Sequence, residues 1–182
     1  MRRVSLITRW WGDLRFFWLT SERLPLLLIG GAVMILAFFT TVMYAMVAND
    51  TDRRELTCLA MNVYYEARGE PVEGQYGVAE VTMNRVDDPR YPDTVCGVVY
   101  QQRWDYLRKR HVSAFSWTEF DAVPEPEGEA WERAVEVADA TFYGRRSESL
   151  DGAVHYHSVH IRPSWARGKD PVAKIGRHAF YR

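Results

Sequence analysis

Residues 56–85 read LTCLAMNVYYEARGEPVEGQYGVAEVTMNR, and the way this stretch divides decides the fold. Leu56, Leu59, Ala60, Val63, Tyr64 and Ala67 recur at i, i+3, i+4, i+7, i+8 and i+11. That spacing lays one apolar stripe along a helix predicted over residues 51–68. Gly69 and Pro71 stop it, Gly74 marks a turn, and a second helix is predicted over residues 75–86. Val78, Val81, Thr82 and Arg85 fall on one side of that second helix. Glu66 lies about 80° from the centre of the first stripe, at its border with the polar face. A carboxyl placed there is partly buried and still faces a groove. A general acid at neutral pH needs a raised pKa, which burial against apolar and aromatic groups supplies. Tyr64, Tyr65 and the Leu59/Val63 face are such neighbours, and a second negative charge on Glu70 would push the same way. The competing reading is a solvated helix end in which Glu70 pairs with an arginine.

Upstream, residues 24–49 (LPLLLIGGAVMILAFFTTVMYAMVAN) contain no charged side chain. About 20 apolar residues in a helix span the hydrocarbon layer. Residues 24–48 are therefore expected to form an uncleaved membrane anchor. The rival is a cleaved signal peptide, whose apolar part is normally shorter and ends in a small-x-small site that Ala45-Met46-Val47-Ala48 matches only in part. Five arginines (2, 3, 9, 15 and 23) precede the span. They place the N-terminus in the cytoplasm and residue 50 onward outside. Trp10, Trp11, Phe16, Phe17 and Trp18, interleaved with Arg9 and Arg15, suit a cytoplasmic segment, residues 1–23, lying at the inner interface. The formal net charge of −1 argues against a nucleic-acid partner. Cys58 and Cys96 are the two cysteines, both beyond the span. On an oxidising side they are natural disulfide partners; otherwise they are two buried thiols.

Downstream, residues 87–92 form a loop by composition, and residues 95–100 a short strand or helical turn. Residues 101–123 read as irregular. Their aromatics, Trp104, Tyr106, Phe115, Trp117 and Phe120, either stack on sugar rings or close a small core. A helix is predicted over residues 127–143 with Trp131, Ala134, Val135, Ala138 and Phe142 inward. Asp151-Gly152 signals a turn, and residues 153–159 a strand with His155 and His157 on one face, Val154 and Tyr156 on the other. The chain ends, over residues 174–182, in a short strand or ordered tail. Helices first and short strands late indicate α+β, a small antiparallel sheet beside a helical core. His155-x-His157 with His160 and His178 is a weak metal signal, and groove-lining or structural histidines are the default. There is no Gly-rich phosphate loop, and no cofactor or metal is expected.

Several segments carry a resemblance when taken in order. They are residues 59–70 with the Glu66-Ala67-Arg68-Gly69-Glu70 core, then Gly74-Gln75, Val78-Ala79 and Asn84-Arg85-Val86. Tyr91-Pro92, residues 95–101, Phe115-Ser116-Trp117, residues 153–157, Pro163, Trp165 and residues 175–181 follow. Together they resemble the SleB/CwlJ-type cell wall hydrolase family over about residues 55–182. The resemblance implies a lysozyme-like α+β domain over residues 49–182 that acts on peptidoglycan glycan strands. Carried onto this chain, it makes Glu66 the general acid of a lytic transglycosylase. Glu70, Tyr64, Phe115, Ser116, Tyr156 and Trp165 become substrate contacts. Such chemistry needs one carboxylic acid, whereas ordinary glycosidases need two at a defined separation. Ser113-Ala114 departs from the family pattern, which has a glutamine beside the Phe. No separate wall-binding module is evident, so the anchor is expected to deliver the domain to the wall. The alternatives are a hydrolytic muramidase, a metal amidase using His155 and His157, and a catalytically silent wall-binding protein.

Overall fold

The computed structural model describes residues 6–20, 23–150 and 152–182, and for residues 6–9 and 17–19 the backbone alone. Arg2, Arg3, Glu22 and the Asp151 of the expected turn lie outside the described residues, as do the side chains of Arg9, Phe17 and Trp18. The chain divides into two compact units, Met1–Asp50 and Thr51–Arg182.

The first unit holds α1 (Leu6–Thr20) and the beginning of α2 (Leu24–Ala67). Trp10, Trp11 and Phe16 of α1 are exposed, as are the large apolar side chains of α2 from Leu26 to Val47. One stretch of α2 is long and apolar enough to cross a membrane. The helix does not break near residue 50 as expected, because no Pro or Gly occurs between Gly31 and Gly69.

In the second unit, the end of α2 packs with α3 (Val72–Asp87), α4 (Val95–Val99) and α5 (Gly128–Phe142). Leu59, Val63, Ala79, Val98, Val99, Val137 and Ala138 form the centre of this core, each almost fully buried. On α5, Val137 and Thr141 face inward and Val135 faces solvent, which corrects the expected inward set by one step of the helix. A buried polar relay crosses the core. Trp117 Nε1 donates to Asn62 Oδ1 at 3.1 Å, and Asn62 Nδ2 donates to the Thr82 hydroxyl, also at 3.1 Å. Each polar atom of the relay is thereby satisfied where an orphan would cost about 1–3 kcal/mol.

Residues 101–123, expected to be irregular, contain an antiparallel hairpin of β1 (Gln102–Asp105) and β2 (Arg110–Ser113), followed by a 3₁₀ turn over Ser116–Glu119. The aromatics here divide: Phe115 and Trp117 enter the core, while Trp104, Tyr106 and Phe120 are exposed. The main sheet runs β3–β5–β4, all antiparallel, from β3 (His155–Ser158), β4 (Ala173–Ile175) and β5 (His178–Tyr181). The expected C-terminal tail is thus a hairpin whose second strand is the sheet's centre, with all four residues of β5 buried. Phe180 faces α3, where Gly77 makes room: a Cβ on Gly77 would lie 2.6 Å from the ring. His155 pairs with Tyr181, and Tyr156 with Phe180.

Candidate active site

The site forms where the C-terminal turn of α2 meets β3. Glu66 is half-buried, and the Tyr156 hydroxyl donates to Glu66 Oε2 at 3.1 Å. Burial raises the Glu66 pKa; the Tyr156 hydrogen bond and the nearby positive charge of Arg85 oppose this without cancelling it. The Tyr156 phenol is itself pushed well above its ordinary value, by burial first and then by Glu66. The hydroxyl therefore stays a donor.

Arg85 enters from the last turn of α3. Its Nε donates to the Val154 carbonyl at 2.8 Å, and its guanidinium lies 5.2 Å from the Phe115 ring centre and 5.5 Å from that of Tyr91. It was legible on one side of its helix with Val78, Val81 and Thr82, and within the Asn84-Arg85-Val86 segment of the resemblance, without a role. A charge beside Val78 and Val81 was the available signal for its part in the site.

Glu70, expected to add its charge to that on Glu66, is held elsewhere. It is 9% exposed, accepts the Arg177 backbone N–H at 2.7 Å on Oε2, and accepts Arg177 Nε at 2.6 Å on Oε1. Burial alone would raise its pKa, but the two Arg177 hydrogen bonds outweigh it and the carboxyl sits below its ordinary value. Arg177 also reaches the Gly69 carbonyl through Nη2. The β4–β5 turn is thereby clamped to the α2–α3 loop. Gly176 has φ of +56° with no left-handed residue after it, the pattern of a II′ hairpin. A Cβ at Gly176 would collide with Glu70 Oε2.

The other expected substrate contacts fall into two groups. Tyr64 and Phe115 are buried, 5% and 3% exposed; Tyr64 packs edge-on against Tyr65 and Trp131. Ser116 and Trp165 are exposed. Trp165 meets the rings of His155, His157 and Tyr181, so the two histidines do share one face of β3. His157 Nε2 lies 3.0 Å from the Tyr181 hydroxyl. Burial and the surrounding cations lower the His155 pKa. Among the described residues, no three His, Cys, Asp or Glu side chains converge as metal ligands. Cys58 and Cys96 form a disulfide that ties α2 to α4, eight residues before Glu66. Glu55 reinforces that junction by accepting the Cys96 backbone N–H at 2.9 Å.

Arg85 also lines an open groove of about 530 Å³ that runs beneath the β1–β2 hairpin. Tyr91, Arg103, Trp104, Ser113 and His155 form much of its wall.

A helical core with a carboxyl whose pKa burial raises at a helix end, beside a small antiparallel sheet, has the form of a lysozyme-like domain. Residues 69–181 match the model of the Cell Wall Hydrolase family, and the chain belongs to that family. The match begins three residues after Glu66. The chain is 27% identical over 127 residues to the spore cortex-lytic enzyme of Bacillus subtilis (strain 168), covering 69% of this chain and 37% of that protein. It spans less than half the length of the curated relatives it matches. The crystal structure of the catalytic domain of the Bacillus cereus SleB protein superposes with a TM-score of 0.55 at 28% identity, over 71% of this chain and 91% of that one. The catalytic domain of the germination-specific lytic transglycosylase SleB from Bacillus anthracis does so with a TM-score of 0.54 at 29% identity, over 70% and 93%.

Proposed function

We propose that residues 49–182 are a peptidoglycan lytic domain that cleaves the MurNAc–GlcNAc glycosidic bond as a lytic transglycosylase, with Glu66 as its single catalytic acid. The observation that carries this reading is the division of labour between the two motif carboxyls. The Glu66 pKa is raised by burial and its carboxyl accepts the Tyr156 hydroxyl, while the Glu70 pKa is lowered and both its oxygens are occupied by Arg177. One available carboxylic acid suits a reaction in which the substrate supplies its own nucleophile. Protonated Glu66 gives its proton to the glycosidic oxygen as the C1–O bond breaks. The muramic 6-hydroxyl closes onto C1, and the Glu66 carboxylate takes that hydroxyl's proton, which restores the acid and leaves a 1,6-anhydro end. Tyr156 orients the carboxyl. Ser116 and Trp165 are open to the strand. Kinship to relatives described as spore cortex-lytic enzymes and a lytic transglycosylase supports the reaction class.

The exposed apolar span of α2 supports a single-pass anchor in the cytoplasmic membrane, over residues 24–48, with the domain on the outer side. The Cys58–Cys96 disulfide agrees with an oxidising compartment such as the periplasm. Purified protein is expected to release anhydro-ended muropeptides from sacculi, identified by mass spectrometry. Glu66→Gln should abolish that release while leaving the unfolding midpoint near that of the parent. Full activity in this variant would refute the assignment, and reducing-end products would replace transglycosylation by hydrolysis.

A further inference from the structure

Among the described residues, two cations that line the groove beneath the β1–β2 hairpin, Arg85 and Arg103, form no ion pair. Three guanidiniums surround the Tyr91 ring: Arg103 at 5.2 Å, Arg85 at 5.5 Å and Arg90 at 5.9 Å from its centre. Arg90 has an acid of its own, Asp88. Arg85 donates to a backbone carbonyl, and Arg103, among the described residues, has its contact with the ring and no ion pair. The one carboxylate in the groove wall, Asp105, is taken up by the backbone N–H groups of Leu107 and Arg108 and by the Arg108 guanidinium. Glu66 lies close enough to favour the charge on Arg85, but among the described residues no ion pair joins the two. Burial is the first cause of the lowered pKa of both Arg85 and His155; Arg103 adds to it at Arg85, where Glu66 opposes it, and both arginines add to it at His155. Like charges gathered over an aromatic floor, with Ser113 and Ala114 leaving the wall low, make a receptor for an anion.

We propose that Arg103 and Arg85 form a carboxylate subsite for the muramic acid's lactyl arm, so that the domain selects glycan strands bearing a negative charge there. This rests on the glycan-cleaving reading above. In peptidoglycan that charge comes either from the peptide stem joined to the lactyl group or, where the stem has been removed, from the lactyl carboxylate itself. A neutral strand leaves the two guanidiniums desolvated by the sugar and unpaired, which lowers its affinity.

The test compares cleavage by the full chain of three strands: peptide-bearing, amidase-stripped, and amidase-stripped with the lactyl carboxylates converted to amides. The neutral strand is expected to be cut with kcat/KM lower by about tenfold or more, the scale of one charge-assisted hydrogen bond. Arg103→Gln, at an exposed position, should shrink that ratio towards one. Preference for the peptide-bearing strand alone assigns the subsite to the stem; equal preference for the stripped strand assigns it to the lactyl carboxylate. Equal cleavage of all three strands by the parent, or a preference that survives Arg103→Gln, overturns the subsite while leaving the lytic reading standing. Cleavage of none removes both.

Discussion

Glu66 and Glu70 stand four residues apart, yet their proton affinities are driven in opposite directions. Glu66 is desolvated and has one neutral donor; Glu70 is desolvated and has two donors from a cation. The Tyr156 hydroxyl lowers the Glu66 pKa, so removing it has a signed consequence. In Tyr156→Phe the Glu66 pKa rises further. A general acid works below its pKa, so the alkaline limb of the pH–rate profile should move to higher pH even as kcat falls through loss of orientation. An unmoved limb would remove Tyr156 from the acid's environment. The Glu66-Ala67-Arg68-Gly69-Glu70 motif was legible, and so was the position of Glu66 at the edge of the stripe. The partners were not, because Tyr156 and Arg177 are 90 and 107 residues distant from the acids they serve. Local periodicity carries no information on such pairs. Arg85 could be seen on a helix face and within the Asn84-Arg85-Val86 segment, but not as a neighbour of Glu66.

At the scale of elements, the Glu70–Arg177 clamp joins the α2–α3 loop to the β4–β5 turn. Glu70→Gln is expected to destabilise the domain by roughly 2 kcal/mol, the cost of losing charge-assisted hydrogen bonds at a buried acceptor. Because the folded-state pKa of Glu70 lies below its ordinary 4.5, the clamp contributes fully above that value and is lost as the pH falls through the folded-state pKa. Thermal unfolding of parent and variant should therefore converge in acid and separate towards neutrality. The ends of α3 and α5 and the C-terminal end of α2 were read to within a few residues because their stripes repeat, whereas the span and the helix after it, expected as two, are one helix. The β1–β2 hairpin was missed because its strands, QRWD and RHVS, are mostly exposed and lack alternation. Its turn also uses Lys109 at φ +52° where a glycine or asparagine would have announced it. The β5 strand, HAFY, was left vague for the opposite reason: burial on both faces erases the period of two.

For the whole molecule, the division into an apolar N-terminal unit and a folded C-terminal unit was plain in composition. The disulfide closes a loop of 38 residues, worth about 4 kcal/mol on the chain-entropy estimate. Denaturant titrations with and without reductant should differ by that amount, and equal curves would make the bond dispensable. Fractionation addresses the anchor: the full chain should stay with membranes after alkaline extraction, and a chain lacking residues 1–48 should be released. An N-terminus found near residue 49 in cells would instead mark a cleaved leader.

The clamp and the Tyr156 bond also have a consequence in time. Ribosomes make Glu66 long before Tyr156 and Arg177. Until those residues are made, the Glu66 carboxyl stands without the hydroxyl that donates to it in the fold, and Glu70 without the turn it holds. On the proposed function, lytic competence arrives after the C-terminal hairpin has emerged and docked. If the domain cuts the wall as proposed, that activity waits for its last-made strand.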